Sequence, residues 1–84
     1  MHDLHIADKI LKLVLEEGQK NNLKKITKIV VELGKIVEHD QRITPENLKF
    51  NLKMLAKGSA AENAKTEIHS IRGTSFGLKE IEGE

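Results

Sequence analysis

The stretch Ile43-Thr44-Pro45-Glu46-Asn47-Leu48 carries the sharpest structural signal in the chain. Thr44 is a natural N-cap, because its hydroxyl can accept from a backbone N–H of the first helical turn. Pro45 suits the first helical position, where a missing N–H costs no helix bond and φ is already helical. Ile43 and Leu48 occupy the two positions of a hydrophobic staple. The pattern predicts a helix from Pro45 to about Lys57, with Gly58 free to adopt a left-handed cap. Leu48, Leu52 and Leu55 form its apolar stripe, and Phe50 and Met54 are expected to broaden it.

Outward from this helix, both flanks read as strands. On the N-terminal side, in Lys25 to Lys35, Ile29, Val31 and Leu33 alternate with Lys28, Val30 and Glu32, and Gly34 marks the end. Residues 36–42 read as a loop. On the C-terminal side, Ser59 to Asn63 is a small-residue loop, and Lys65 to Arg72 is a strand with Thr66 and Ile68 on one face. Gly73-Thr74-Ser75 reads as a turn into a third strand, Phe76 to Glu82. There Ile81 breaks alternation with Phe76 and Leu78, and a bulge would restore the facing. Ahead of all this, Leu4, Ala7, Leu11, Val14 and Leu15, with Ile10 beside them, predict an amphipathic helix from Leu4 to about Gln19. Asp3 is its expected N-cap, and Asn21-Asn22 its stop. The order helix-strand-helix-strand-strand predicts an α/β fold, a small mixed three-stranded sheet packed with two helices.

Composition narrows the function. A chain of 84 residues buries only about 60% of its unfolded surface, so the core is modest. Lys and Arg (14) nearly cancel Asp and Glu (13), leaving a net charge of +1 and no basic field for nucleic acid. Two Phe are the only aromatics, which removes stacking platforms for single strands. The absence of Cys removes disulfides, thiol nucleophiles and Cys-ligated zinc. The longest unbroken apolar runs are three residues, as in Ile29-Val30-Val31, so no membrane partner is expected and a cytoplasmic location is the default. Gly34, Gly58 and Gly73 are isolated and form no phosphate loop. No Ser/His/Asp order is visible, and no enzyme is expected.

His2 carries a separate argument. With a free Met1 amine, that amine, the deprotonated His2 amide and an imidazole nitrogen close fused chelate rings around one ion. Nitrogen donors in a near-planar set favour Ni(II) or Cu(II). Asp3 can complete the set through its amide or its carboxylate, a role that competes with capping. Of the other histidines, His5 is expected to be solvated, His39 lies in a loop with Asp40, and His69 faces solvent on a strand.

Taken together, these residues resemble the HypA/HybF family of nickel-incorporation proteins, metallochaperones for the maturation of nickel-iron hydrogenase and, in some organisms, urease. Met1-His2-Asp3 is similar to the family's Met-His-Glu start. Lys25 to Gly34 resembles its first strand, Ile43 to Phe50 its second helix, and Leu55 to Ala64 the loop into its second strand. Two departures stand out. Position 3 is Asp rather than Glu, which shortens the carboxylate by one methylene. Second, the family's two Cys-x-x-Cys pairs, which hold a structural zinc between the second and third strands, have no counterpart. Ile71 to Phe76 crosses that gap directly. The resemblance implies a single nickel-binding-type domain over residues 1–84, without the zinc domain and with no structural zinc. It implies Ni(II) held by Met1, His2 and Asp3, with Asp40 in the nearby loop. The implied partners are a nickel-handling GTPase and a hydrogenase large-subunit precursor. The alternative is a paralogue that has lost the zinc domain and metal delivery with it, acting as a protein–protein adaptor or regulator.

Overall fold

The computed structural model describes the backbone of residues 2–38 and 41–84. Its elements are α1 (His2–Lys20), β1 (Ile26–Leu33), β2 (Val37–Glu38), β3 (Gln41–Arg42), α2 (Pro45–Leu55), β4 (Lys65–Ser70) and β5 (Phe76–Gly83). The predicted helix-strand-helix-strand-strand order holds, with one addition. Residues 36–42, expected to be loop, contain the short antiparallel hairpin β2–β3, pairing Val37 with Arg42 and Glu38 with Gln41. Strands of two residues are too short to show alternation, so no sequence period announces them. The Ile43 N–H donates to the Ile36 carbonyl (2.9 Å) and closes the base of the hairpin.

The local signals around α2 act as their chemistry requires. The Thr44 hydroxyl accepts from the Asn47 N–H at 3.2 Å, and Pro45 opens the helix. Both staple residues, Ile43 and Leu48, are buried. The helix ends two residues earlier than expected, at Leu55, and Gly58 takes the left-handed conformation (φ 82°) beyond it. At the other helix, Asn22 supplies the left-handed residue (φ 57°). The Leu23 N–H reaches the Gly18 carbonyl (2.8 Å) and the Asn22 N–H the Gln19 carbonyl (3.1 Å). This pair of bonds is a Schellman motif, and it satisfies carbonyls that the helix end leaves free.

The sheet order is β4-β1-β5, with β1 central, parallel to β4 and antiparallel to β5. The parallel pair is joined through α2, as a parallel connection requires. Register places Ile29, Val31 and Leu33 beside Thr66, Ile68 and Ser70 of β4, and beside Ile81, Leu78 and Phe76 of β5. The expected bulge is present. Val30 pairs with Glu80 but Val31 with Leu78, so Lys79 is the extra residue. It returns Ile81 to the face of Phe76 and Leu78.

Both helices pack on that face. Ile6, Ala7, Ile10, Leu11 and Val14 of α1 meet Leu48 and Leu52 of α2 and Ile29, Val31 and Leu33 of β1 in one buried cluster. Phe50 and Met54 do not join it. Contrary to the expectation that they broaden the core stripe, they are 62% and 45% exposed. At about 100° per residue, position 50 lies roughly opposite 48 and 52, which fixes it on the solvent side. The opposite face of the sheet is uncovered by helix. It carries Lys28, Val30 and Glu32 between Glu67 and His69 on one side and Glu80 and Glu82 on the other. Val30 is buried there, although it lies outside the helix-packed cluster. Its paired neighbours, Glu67 and Glu80, have aliphatic stems long enough to cover it.

Candidate metal centre at the start of the first helix

Of the four residues expected to hold metal, two lie among the described residues. His2 and Asp3 are the first two residues of α1. Asp3 is therefore within the helix rather than at the expected N-cap. A carboxylate is favourable in the first turn as well as at the cap, because both feel the positive end of the helix dipole. Met1 lies outside the described residues. So does Asp40, together with His39. Their flanks are β2 and β3, the two legs of the hairpin anchored by Ile36 and the buried Ile43.

Placing His2 and Asp3 at a helix start has a chemical consequence. The first four N–H groups of an α-helix have no intrahelical acceptor. The amides of both residues are thus free of helix hydrogen bonds, and deprotonating either one breaks none. Each deprotonated amide adds negative charge where the helix dipole is positive, which offsets the disfavour of placing a cation there. The donor set of amine, amide nitrogens and imidazole fits a square Ni(II) or Cu(II) ion better than Zn(II) or Mg(II).

Nothing else in the described structure competes for a metal. Among the described residues no group of three or more His, Cys, Asp or Glu is placed to hold an ion. No buried side-chain polar atom is without a partner there. His5 is exposed. His69 is exposed on β4 with its Nε2 3.5 Å from a Glu67 oxygen, and Glu67 also faces Lys28 at 3.8 Å. Lys28 bridges on to Glu82 at 3.6 Å. This is a solvated charge ladder, not a coordination site. Two open grooves flank the sheet edges. One of about 440 Å³ lies between α1 and β5 beside Leu13, Glu17 and Lys79, and one of about 420 Å³ between α2 and β4 beside Lys49 and His69. Among the described residues no helix is long and apolar enough to cross a membrane.

The link from β4 to β5, where a zinc module was expected to be missing, spans residues 71–75 and turns at Gly73 (φ 100°). Its Ser75 and Gly73 carbonyls accept from the Gly34 N–H (2.7 Å) and the Lys35 N–H (2.8 Å), which ties the link to the end of β1.

A small α/β domain with two helices on one face of a mixed sheet is also the fold of a solved nickel metallochaperone. The solution structure of the Ni metallochaperone HypA from Helicobacter pylori superposes with a TM-score of 0.81 over 96% of each chain. At 13% identity that likeness concerns the fold. Sequence supplies the rest. The family model described as hydrogenase/urease nickel incorporation, metallochaperone, hypA matches residues 1–76. Hydrogenase maturation factor HypA of Legionella pneumophila (strain Lens) is 32% identical over 76 residues, covering 90% of this chain and 64% of that protein. The HypA of Methanopyrus kandleri is 33% identical over 73 residues, covering 87% of this chain and 49% of that protein. The chain belongs to the HypA family, whose members are metallochaperones rather than enzymes. It spans 64% and 49% of the length of these two relatives.

Proposed function

We propose that this chain carries Ni(II) as cargo for the maturation of nickel-iron hydrogenase, and that Met1, His2 and Asp3 hold the ion with Asp40 close by. The observation that supports this most strongly is the position of His2 and Asp3 at the first two places of α1, in a chain of a nickel-incorporation family. With Met1 as the free terminus, its amine, the His2 amide and the His2 imidazole chelate the ion. Asp3 contributes its amide, a donor that does not depend on the shorter carboxylate. Fused chelate rings flatten the backbone through His2, so loading unwinds the first turn of α1. Helix ends fray at little cost, which keeps the site exposed and the ion releasable. The whole chain forms one nickel-binding-type domain without the zinc module, and its partners are a nickel-handling GTPase and a hydrogenase large-subunit precursor.

Replacing His2 by Ala tests the assignment. The His2→Ala protein is expected to keep its far-UV circular dichroism and lose tight Ni(II) binding. Ni(II) affinity equal to that of the unchanged chain would refute the site. The alternative is a protein–protein adaptor or regulator without metal delivery, a reading suggested by the direct β4–β5 link over residues 71–75. Acetylating the terminus separates the two. A nickel-dependent complex with the hydrogenase precursor is lost, whereas an adaptor keeps it.

A further inference from the structure

The outer face of α2 presents an arrangement that the core does not use and the nickel site does not need. Phe50 stands at its centre, 62% exposed, with Met54 one turn on at 45%. The chain has only two aromatic residues, and this one faces solvent. Lys49 and Lys53, both exposed, lie four residues apart along one flank, and Lys57, also exposed, follows just beyond the helix end. Asn47 and Asn51 occupy the other flank. Residues 43–61 contain these three Lys and a single acid, Glu46. Some other basic residues are paired within the fold. Lys12, Lys20 and Lys28 each face a carboxylate of their own fold, Asp8, Glu17, and Glu67 with Glu82. None of the described carboxylates pairs with Lys49, Lys53 or Lys57. Lys53 and Lys57 complement the helix dipole at the C-terminal end, but this accounts for neither Lys49 nor the exposed Phe50.

We propose that this face docks an acidic amphipathic helix of a partner protein. The apolar pair Phe50 and Met54 and the row of Lys49 and Lys53 are both four-residue ridges, and such ridges interdigitate with the ridges of a second helix. Phe and Met are enriched in interface cores, and a Met side chain adapts to an uneven surface. A partner helix with one apolar ridge flanked by Glu or Asp fills the hydrophobic centre and meets the unpaired Lys on the flank. A basic helix is repelled by the same row, so charge sets the choice of partner. The α2 face lies on residues separate from Met1, His2, Asp3 and Asp40, and the proposal stands whether or not the chain carries nickel.

The probe is a fluorescein-labelled, helix-stapled peptide with one Leu ridge flanked by Glu, and its twin with Lys in place of Glu. Anisotropy titration of the full chain is expected to show binding of the Glu peptide that weakens with salt, and little binding of the Lys peptide. Amide shifts in the nitrogen-15-labelled protein should map to residues 46–58. A Phe50→Ser/Met54→Ser variant should weaken the Glu peptide by about tenfold or more, the loss of a single hot-spot side chain. A Lys49→Glu/Lys53→Glu/Lys57→Glu variant should reverse the preference between the two peptides. All these positions are exposed, and an unchanged thermal midpoint shows that each variant folds. Equal binding of both peptides, no detectable binding of the Glu peptide, insensitivity to either variant, or shifts centred on the sheet would each overturn the proposal. Self-association abolished by Phe50→Ser/Met54→Ser would likewise overturn it, by assigning the face to a second copy of the chain.

Discussion

Replacing Gly34 by Ala should be far more damaging than one methyl group suggests, and the reason lies in the link that closes the sheet. A Cβ at Gly34 would stand 2.7 Å from the Gly73 carbonyl oxygen and 2.7 Å from that of Ser75, where ordinary contact begins at 3.4 Å. Both obstacles are backbone, so no side chain can swing aside. The link must retreat by about 0.7 Å to reach ordinary contact, and overpacking of this kind costs about 1–3 kcal/mol. The same retreat loosens the bonds from the Gly34 and Lys35 N–H groups to those two carbonyls, each worth about 1 kcal/mol net. Stiffening the unfolded chain returns about 0.4–1 kcal/mol. The balance is a loss of about 2–4 kcal/mol, a large share of the stability expected for a domain of this size. Urea unfolding followed by far-UV circular dichroism should show it as a lower midpoint at unchanged slope. Gly58→Ala is the control. Gly58 has φ 82°, and a methyl group there would meet nothing within 4 Å, so only the left-handed conformation is penalised, by about 1 kcal/mol. Gly34→Ala costing no more than Gly58→Ala would refute the steric argument and the claim that the β4–β5 link is clamped to β1.

Further expectations follow from single contacts. Thr44→Ala removes the acceptor for the Asn47 N–H and should cost about 1 kcal/mol in the same urea assay. Leu48→Ala, at a fully buried position in the centre of the cluster, should cost about 2–5 kcal/mol and bring the protein close to unfolding at room temperature. Lys28→Met, by contrast, breaks only half-exposed ion pairs and should change stability by less than about 1 kcal/mol, with the difference shrinking in salt. EDTA should leave the circular dichroism spectrum and thermal midpoint unchanged, since the fold is expected to rest on its apolar core rather than on zinc. Unfolding by EDTA would contradict that.

What the sequence discloses depends on how local each determinant is. The start of α2 is legible because Thr44, Pro45, Ile43 and Leu48 act within a few residues of one another, and cap and staple both form. The alternation of β1 and the bulge in β5 are legible because apolar side chains must share a face. Burial of Val30 on the helix-free face is not, because it depends on neighbours from two other strands. The β2–β3 hairpin is too short to carry a period. Residue type alone puts Phe50 and Met54 in the core, although their angular offset from Leu48 and Leu52 places them outward. Asp3 has a side chain that suits both an N-cap and a first turn, so type alone does not fix where α1 begins. The metal site is readable as a chemical motif at Met1-His2-Asp3. Its link to Asp40 is a matter of tertiary approach, which no local pattern encodes.

The central claim, an amine-His2 chelate that carries nickel, is tested most directly by Ni(II) calorimetry on two forms of the chain. One has Met1 as its free N-terminus, and the other carries an additional Gly-Ser ahead of it. One tight site in the first form, lost in the second, is the predicted result. Equal weak binding in both would contradict the claim and leave a HypA fold without the nickel function.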